Sequence, residues 1–270
     1  NITMPSGTAD YEYYKKATQT TAPTDEVEMS DPNFLAYWIA SKLGEDGIIE
    51  TIFSRCDLHQ CLTRMNVLDS KLSQRTLIDI GAHDGVFISN VRNLVVNHGW
   101  TGILVEGDPI KADKCRQSFE GYPSVETKCC YVGFRERENN YEQLFGNYSP
   151  VSFLSIDVDG IDYEIFESIP DHLKPSVVCV EVSAGINPSD HTRLPYSISK
   201  DNLGQGLGVM TDLANAKGYE LLCYTGNAFY VLREHMHMFN IRDNSPETMY
   251  SNFWKIQTMS DKQYLMGWCK

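Results

Sequence analysis

No run of apolar residues in this chain approaches the roughly 20 needed to cross a bilayer, and no charged-then-apolar leader opens it. The expectation is a soluble, cytoplasmic protein with no membrane partner. Cations are scarce: 23 Lys plus Arg stand against 36 Asp plus Glu, a formal net charge of −13. Long-range repulsion then disfavours a phosphate backbone, and no nucleic-acid partner is expected. Paired C-x2-C spacing is missing as well. Of the eight cysteines, neither Cys56 and Cys61 nor the adjacent Cys129 and Cys130 show the ligand spacing of a zinc site. Several others sit inside apolar strand-like runs, where a free thiol behaves as a small hydrophobe, so a reduced, intracellular chain is expected. Formal glycosylation acceptors occur at Asn1 and Asn147.

What the chain does have is an alternation. Residues 1–30 are rich in Thr, Ser, Pro and acidic side chains with little periodicity, which reads as a flexible arm. At Asp31 an Asp-Pro pair opens a run with apolar residues at helical spacing, and "EDGIIETIFSRC" reads as a second helix, so residues 31–75 form a helical extension. From there apolar strand-like runs recur at 77–80, 102–105, 124–130, 151–156 and 177–182, separated by helix-length segments. That is the βαβ pattern of a doubly wound, mostly parallel Rossmann-like α/β sheet. "YELLCYT" and "AFYVLRE" then read as a C-terminal antiparallel hairpin closing at "GN". The expected organisation is a ligand-binding domain over 76–234, with a helical or irregular extension over 235–270.

Ligands in such sheets bind beyond the carboxyl ends of the strands, so the polar residues there decide the chemistry. The first strand ends in "LIDIGAHDGVF", where Asp79 is followed by Gly81 and Gly85, glycines that let backbone approach a ligand. This is not the G-x-G-x-x-G of dinucleotide binders, since Asp79, Ala82 and His83 stand in the wrong places. The second strand ends in "LVEGDP", and Glu106 there can accept both hydroxyls of a ribose. The fourth ends in "SIDVDGID", crowding Asp157, Asp159 and Asp162; the fifth ends at Glu181. Asp157 and Glu181 on adjacent strands make an oxygen-rich pair suited to Mg²⁺. Asp159 or Asp162 can equally cap the following helix. His191, in the loop after the fifth strand, has the pKa class of a general base.

Together "DIGAHDG", "LVEGDP" and "SIDVDG" resemble class I S-adenosylmethionine-dependent methyltransferases, near the FkbM branch. "GEDGIIETIF", "NHGWTGILVEGDP", "LSIDVDGIDYEIF" and "LANAKGYELLCYTGNAFYVLRE" carry the same resemblance across residues 44–234. It implies S-adenosyl-L-methionine as cofactor, with Gly81, Ala82 and Gly85 at its methionine end, Glu106 on its ribose and Asp108 beside its adenosine. The full expected cofactor set is Asp79, Gly81, Ala82, His83, Gly85, Glu106, Gly107, Asp108 and Asp157. Asp157, Asp159 and His191 are the expected catalytic residues, and Asp157 with Glu181 the metal pair. The implied activity is O-methylation of a small-molecule or carbohydrate hydroxyl; N-methylation and a non-catalytic cofactor-binding role on the same fold stay open. The chain departs from the branch after the fifth strand, reading Glu181-Val182-Ser183 where relatives often read "EYN".

Overall fold

The computed structural model describes residues 45, 48, 49, 52, 53, 75–196, 204–239 and 241–256. The expected arm over 1–30 and most of the helical extension lie outside the described residues.

Among the described residues, seven strands form one sheet: β1 (Thr76–Ile80), β2 (Thr101–Glu106), β3 (Val125–Cys129), β4 (Phe153–Ile156), β5 (Val177–Glu181), β6 (Tyr219–Tyr224) and β7 (Asn227–Leu232). Between them lie α1 (Arg92–His98), α2 (Pro109–Ser118), α3 (Tyr141–Phe145), α4 (Asp162–Glu167) and α5 (Leu207–Ala216), with α6 (Pro246–Ile256) after β7. The spatial order is β3-β2-β1-β4-β5-β7-β6. Strands β1 to β5 pair in parallel, while β7 runs antiparallel to both β5 and β6. The sheet is therefore mostly parallel, doubly wound and closed by an antiparallel hairpin, as the alternation implied.

Burial explains why the central strands read as continuous apolar runs rather than alternating ones. Phe153 to Ile156 are all buried, and so are Val177 to Val180, because helices cover both faces. Successive residues feed opposite layers: Ile78, Leu154 and Val178 join one core, Leu77, Phe153 and Val177 the other. The second layer takes the buried face of the N-terminal helical residues Ile48, Ile49, Ile52 and Phe53, with the Phe53 ring edge-on to Trp100 at 4.6 Å. Edge strand β3 is only partly buried.

One row of that second layer is polar. Asp79, Ser155 and Cys179 are register partners across β1, β4 and β5. The Asn90 amide covers them, donating to Ser155 Oγ at 3.3 Å and to Cys179 Sγ at 3.9 Å.

Sheet order reverses between β1 and β4, since β2 and β3 lie to one side of β1 and β4 and β5 to the other. The crevice at such a reversal is where open α/β sheets bind ligands.

Candidate functional site

A cavity of about 920 Å³ opens at that crevice, at the large end of the range for small-molecule sites. Every parallel strand supplies a wall residue: Gly81 beyond β1, Glu106 at the end of β2, Cys130 beyond β3, Asp157 beyond β4 and Glu181 at the end of β5.

The glycine loop starts tightly. Gly81 and Ala82 both donate their amides to the Val105 carbonyl, at 2.9 and 3.1 Å. Gly81 has φ +94°, and a Cβ there would lie 1.7 Å from the Asp157 carbonyl oxygen. Only glycine fits. Next in the chain, the His83 amide donates to Glu106 Oε2 at 2.8 Å, and the Asp108 amide donates to Glu106 Oε1 at 2.8 Å. Each oxygen of Glu106 is thus oriented by one backbone amide, and about two of its four lone-pair sites stay available. Asp108 lines the same cavity, but its Oδ1 is already the N-cap of α2, accepting from Ile110 and Lys111 amides at 2.8 and 3.1 Å. Gly107 lets the ring of Tyr131 lie against the backbone, since a Cβ would meet that ring at 2.4 Å.

On the other side stand the carboxylates. Asp157, Asp159 and Glu181 each present an oxygen within 4.8 Å of the others. Their loop is held by Asp162, which is 2% exposed. Its Oδ1 accepts from the Val158 amide and its Oδ2 from the Gly160 amide, both at 2.9 Å. Asp162 therefore reaches back to fasten the turn, and the structure shows no side-chain cap on α4, whose N-cap is Ile161. Capping is not its role. An asparagine could not accept at both atoms. Burial, reinforced by the Asp157 charge, pushes the Asp162 carboxyl up to about 7.

Of the expected residues, Gly81, His83, Glu106, Gly107, Asp108, Asp157, Asp159 and Glu181 meet in this cavity. Asp79, Ala82, Gly85 and His191 do not line it. Asp79 is 4% exposed and lies one layer below, in the Ser155 row. Strand alternation puts it on the same face as Leu77, beside Ser155, whereas Gly81 lies beyond the end of β1. Ala82 is buried, and a Cβ on Gly85 would strike Phe119 at 2.6 Å, so that glycine serves packing against the end of α2. His191 is half exposed and its Nδ1 sits 2.6 Å from Asp212 Oδ2 on α5, which fastens the loop to the helix.

The sequence reading missed Phe87, Ile88, Lys111, Tyr131, Ile161 and Ile165, all cavity-lining. Tyr131 had a usable signal, lying just beyond a strand end. The others depend on loop paths and on which way a helix turns. Cys130 lines the cavity too, its thiol pushed up by burial and by Cys129, which makes it a poor nucleophile near neutrality.

No family model matches the sequence, and no curated protein matches it. Solved structures are similar in part. One is monomeric WbdD, at 14% identity over 68% of this chain and 40% of that one, TM-score 0.38. Another is an O-methyltransferase family protein from Burkholderia thailandensis, at 11% identity over 70% of this chain and 58% of that one, TM-score 0.41. A third is an S-adenosylmethionine-dependent methyltransferase from Clostridium acetobutylicum ATCC 824, at 8% identity over 66% of this chain and 98% of that one, TM-score 0.37. The chain thus spans less than two thirds of the length of the first two.

Proposed function

We propose that the chain is an S-adenosylmethionine-dependent methyltransferase acting on the hydroxyl of a small-molecule or carbohydrate acceptor. The observation that carries this reading is Glu106, oriented by two amides at the second strand end of a cavity at the sheet reversal. Two features favour this cofactor over a dinucleotide. Helix α1 begins only at Arg92, so no helix N-terminus follows Gly81 directly to receive a pyrophosphate. Among the described lining residues, Lys111 is the one lysine or arginine, against five carboxylates. That balance suits a cationic, phosphate-free ligand.

When bound, S-adenosylmethionine supplies an electrophilic methyl group on a sulfonium. The acceptor oxygen would take that methyl as the carbon–sulfur bond breaks, the bonding electron pair returning to sulfur. In this reading Gly81 and Glu106 fix the donor, and Asp157 or Asp159 takes the hydroxyl proton; attack geometry is the protein's main contribution.

Calorimetry with S-adenosylhomocysteine tests the reading. Micromolar binding is expected for wild type, with Glu106→Ala weaker by about 1–3 kcal/mol through loss of a charge-assisted acceptor. Wild-type chain that binds NAD instead, or neither ligand, would sink it.

Metal assistance is a second reading, favoured by the three carboxylates within 4.8 Å. All-oxygen donors fit Mg²⁺, and Asp157, Asp159 and Glu181 would hold it. Such an ion would lower the pKa of an acceptor hydroxyl. Millimolar MgCl₂ is then expected to raise the melting temperature of wild type by a few degrees but not that of Asp157→Asn or Glu181→Gln. Equal responses in all three would dismiss the ion.

A further inference from the structure

Among the described residues, six that are not glycine have positive φ, and three of them, His83, Ile88 and Asp159, line the cavity. Ile88, at φ +58°, is the one with a β-branched side chain. The left-handed region is a steric outlier for such a residue, whereas Asn, Asp and His tolerate it. Strain of this kind persists only where surrounding structure enforces it, and it clusters at functional sites.

The enforcement is visible on both sides. Upstream, Asp84 Oδ1 accepts from the Val86 and Phe87 amides at 3.0 and 2.8 Å. Downstream, Ser89 Oγ accepts from the Val91 and Arg92 amides at 3.4 and 3.1 Å, and the Asn90 amide group is fixed on Ser155. Ile88 is the joint between two fastened segments. A joint alone calls for glycine, which takes positive φ without penalty. The chain instead places there one of the residues least suited to the conformation, and that residue lines the cavity, as does its chain neighbour Phe87.

We infer that Ile88 is a binding determinant of this cavity, its backbone strain retained because the side chain contacts the bound S-adenosyl ligand. The inference rests on the proposed cofactor, and it assigns to the loop after β1 an apolar contact that adds to the polar grip of Glu106. Strain and contact then have opposite signs. Relieving the strain helps the empty protein and harms the complex, a combination that a packing role cannot produce.

The test uses the full chain, S-adenosylhomocysteine as probe, and two variants. Ile88→Asn tolerates left-handed backbone but loses the apolar contact; its melting temperature is expected to equal or exceed that of wild type while affinity falls about tenfold, the scale of a lost hydrophobic pocket contact. Ile88→Leu keeps the apolar bulk and is expected to bind within about twofold of wild type. Wild-type affinity in Ile88→Asn would overturn the inference. So would a fall in melting temperature and affinity together in both variants, which would make Ile88 a structural joint only. Wild type that fails to bind the probe overturns the cofactor reading, and this inference with it; wild type that binds while the variants depart from expectation overturns this inference alone.

Discussion

Gly81→Ala is expected to lose at least about 3 kcal/mol of stability and, on the proposed reading, to abolish binding of S-adenosylhomocysteine. Two costs add at this position. An alanine at φ +94° sits outside the regions open to side chains. Its Cβ would also penetrate the Asp157 carbonyl oxygen, at 1.7 Å. That carbonyl has no slack, because the Asp157 amide donates to the Ile80 carbonyl at 2.9 Å and locks the ends of β1 and β4 together. The strand ends must part, and Asp157 leaves the cavity wall with them. Gly99 is the control: it also has positive φ, +67°, at the end of α1, but a Cβ there meets nothing within 4 Å. Gly99→Ala should therefore cost only about 1–2 kcal/mol, the conformational part alone. Urea unfolding of both variants checks this. Equal losses would mean that the close approach to Asp157 contributes nothing.

Strand positions were legible because the signal is local and repeated. The five parallel strands fall within two residues of the strand-like runs, and burial on both faces made the runs of the central strands continuous. Residues at strand ends were legible by the same route: Gly81, Glu106, Asp157 and Glu181 do meet at one cavity. Side-chain direction was harder. Asp79 shares a motif with Gly81, but it lies inside β1 and faces the Ser155 row, whereas Gly81 lies beyond the strand end. Asp162 stands at the start of α4, where spacing suggests a cap; its carboxylate bends back to Val158 and Gly160 instead. His191 lies in a loop whose path no periodicity fixes, and it meets Asp212 rather than the carboxylates. Ile88 could not have been singled out at all, since its backbone angle is imposed by partners on either side.

The buried row under the cavity makes the second large prediction, on pH. Asp79 is raised to about 7 chiefly by burial; a hydrogen bond from Ser155 works the other way, and the charges of Asp157 and Glu106 add to the rise. The unfolded chain ionises this carboxyl near 4, whereas the folded chain keeps its proton until about 7. Across that window the unfolded state binds fewer protons, so stability falls as pH rises. The contribution of Asp79 is fully present below about 4 and is lost once pH passes about 7. Its size is on the order of 4 kcal/mol, at about 1.4 kcal/mol per pH unit of the window. Asp162 shifts in the same direction and steepens the wild-type decline. Asp79→Asn is uncharged at every pH and can still hydrogen-bond Ser155. Relative to wild type it should gain stability between pH 4 and about pH 7 and level off above that, so the difference in urea-unfolding free energy between the two proteins, measured at pH 4 and pH 8, is the quantity to follow. A difference that does not change with pH would mean that Asp79 is already ionised in the folded chain, held by a donor or cation at the base of the crevice.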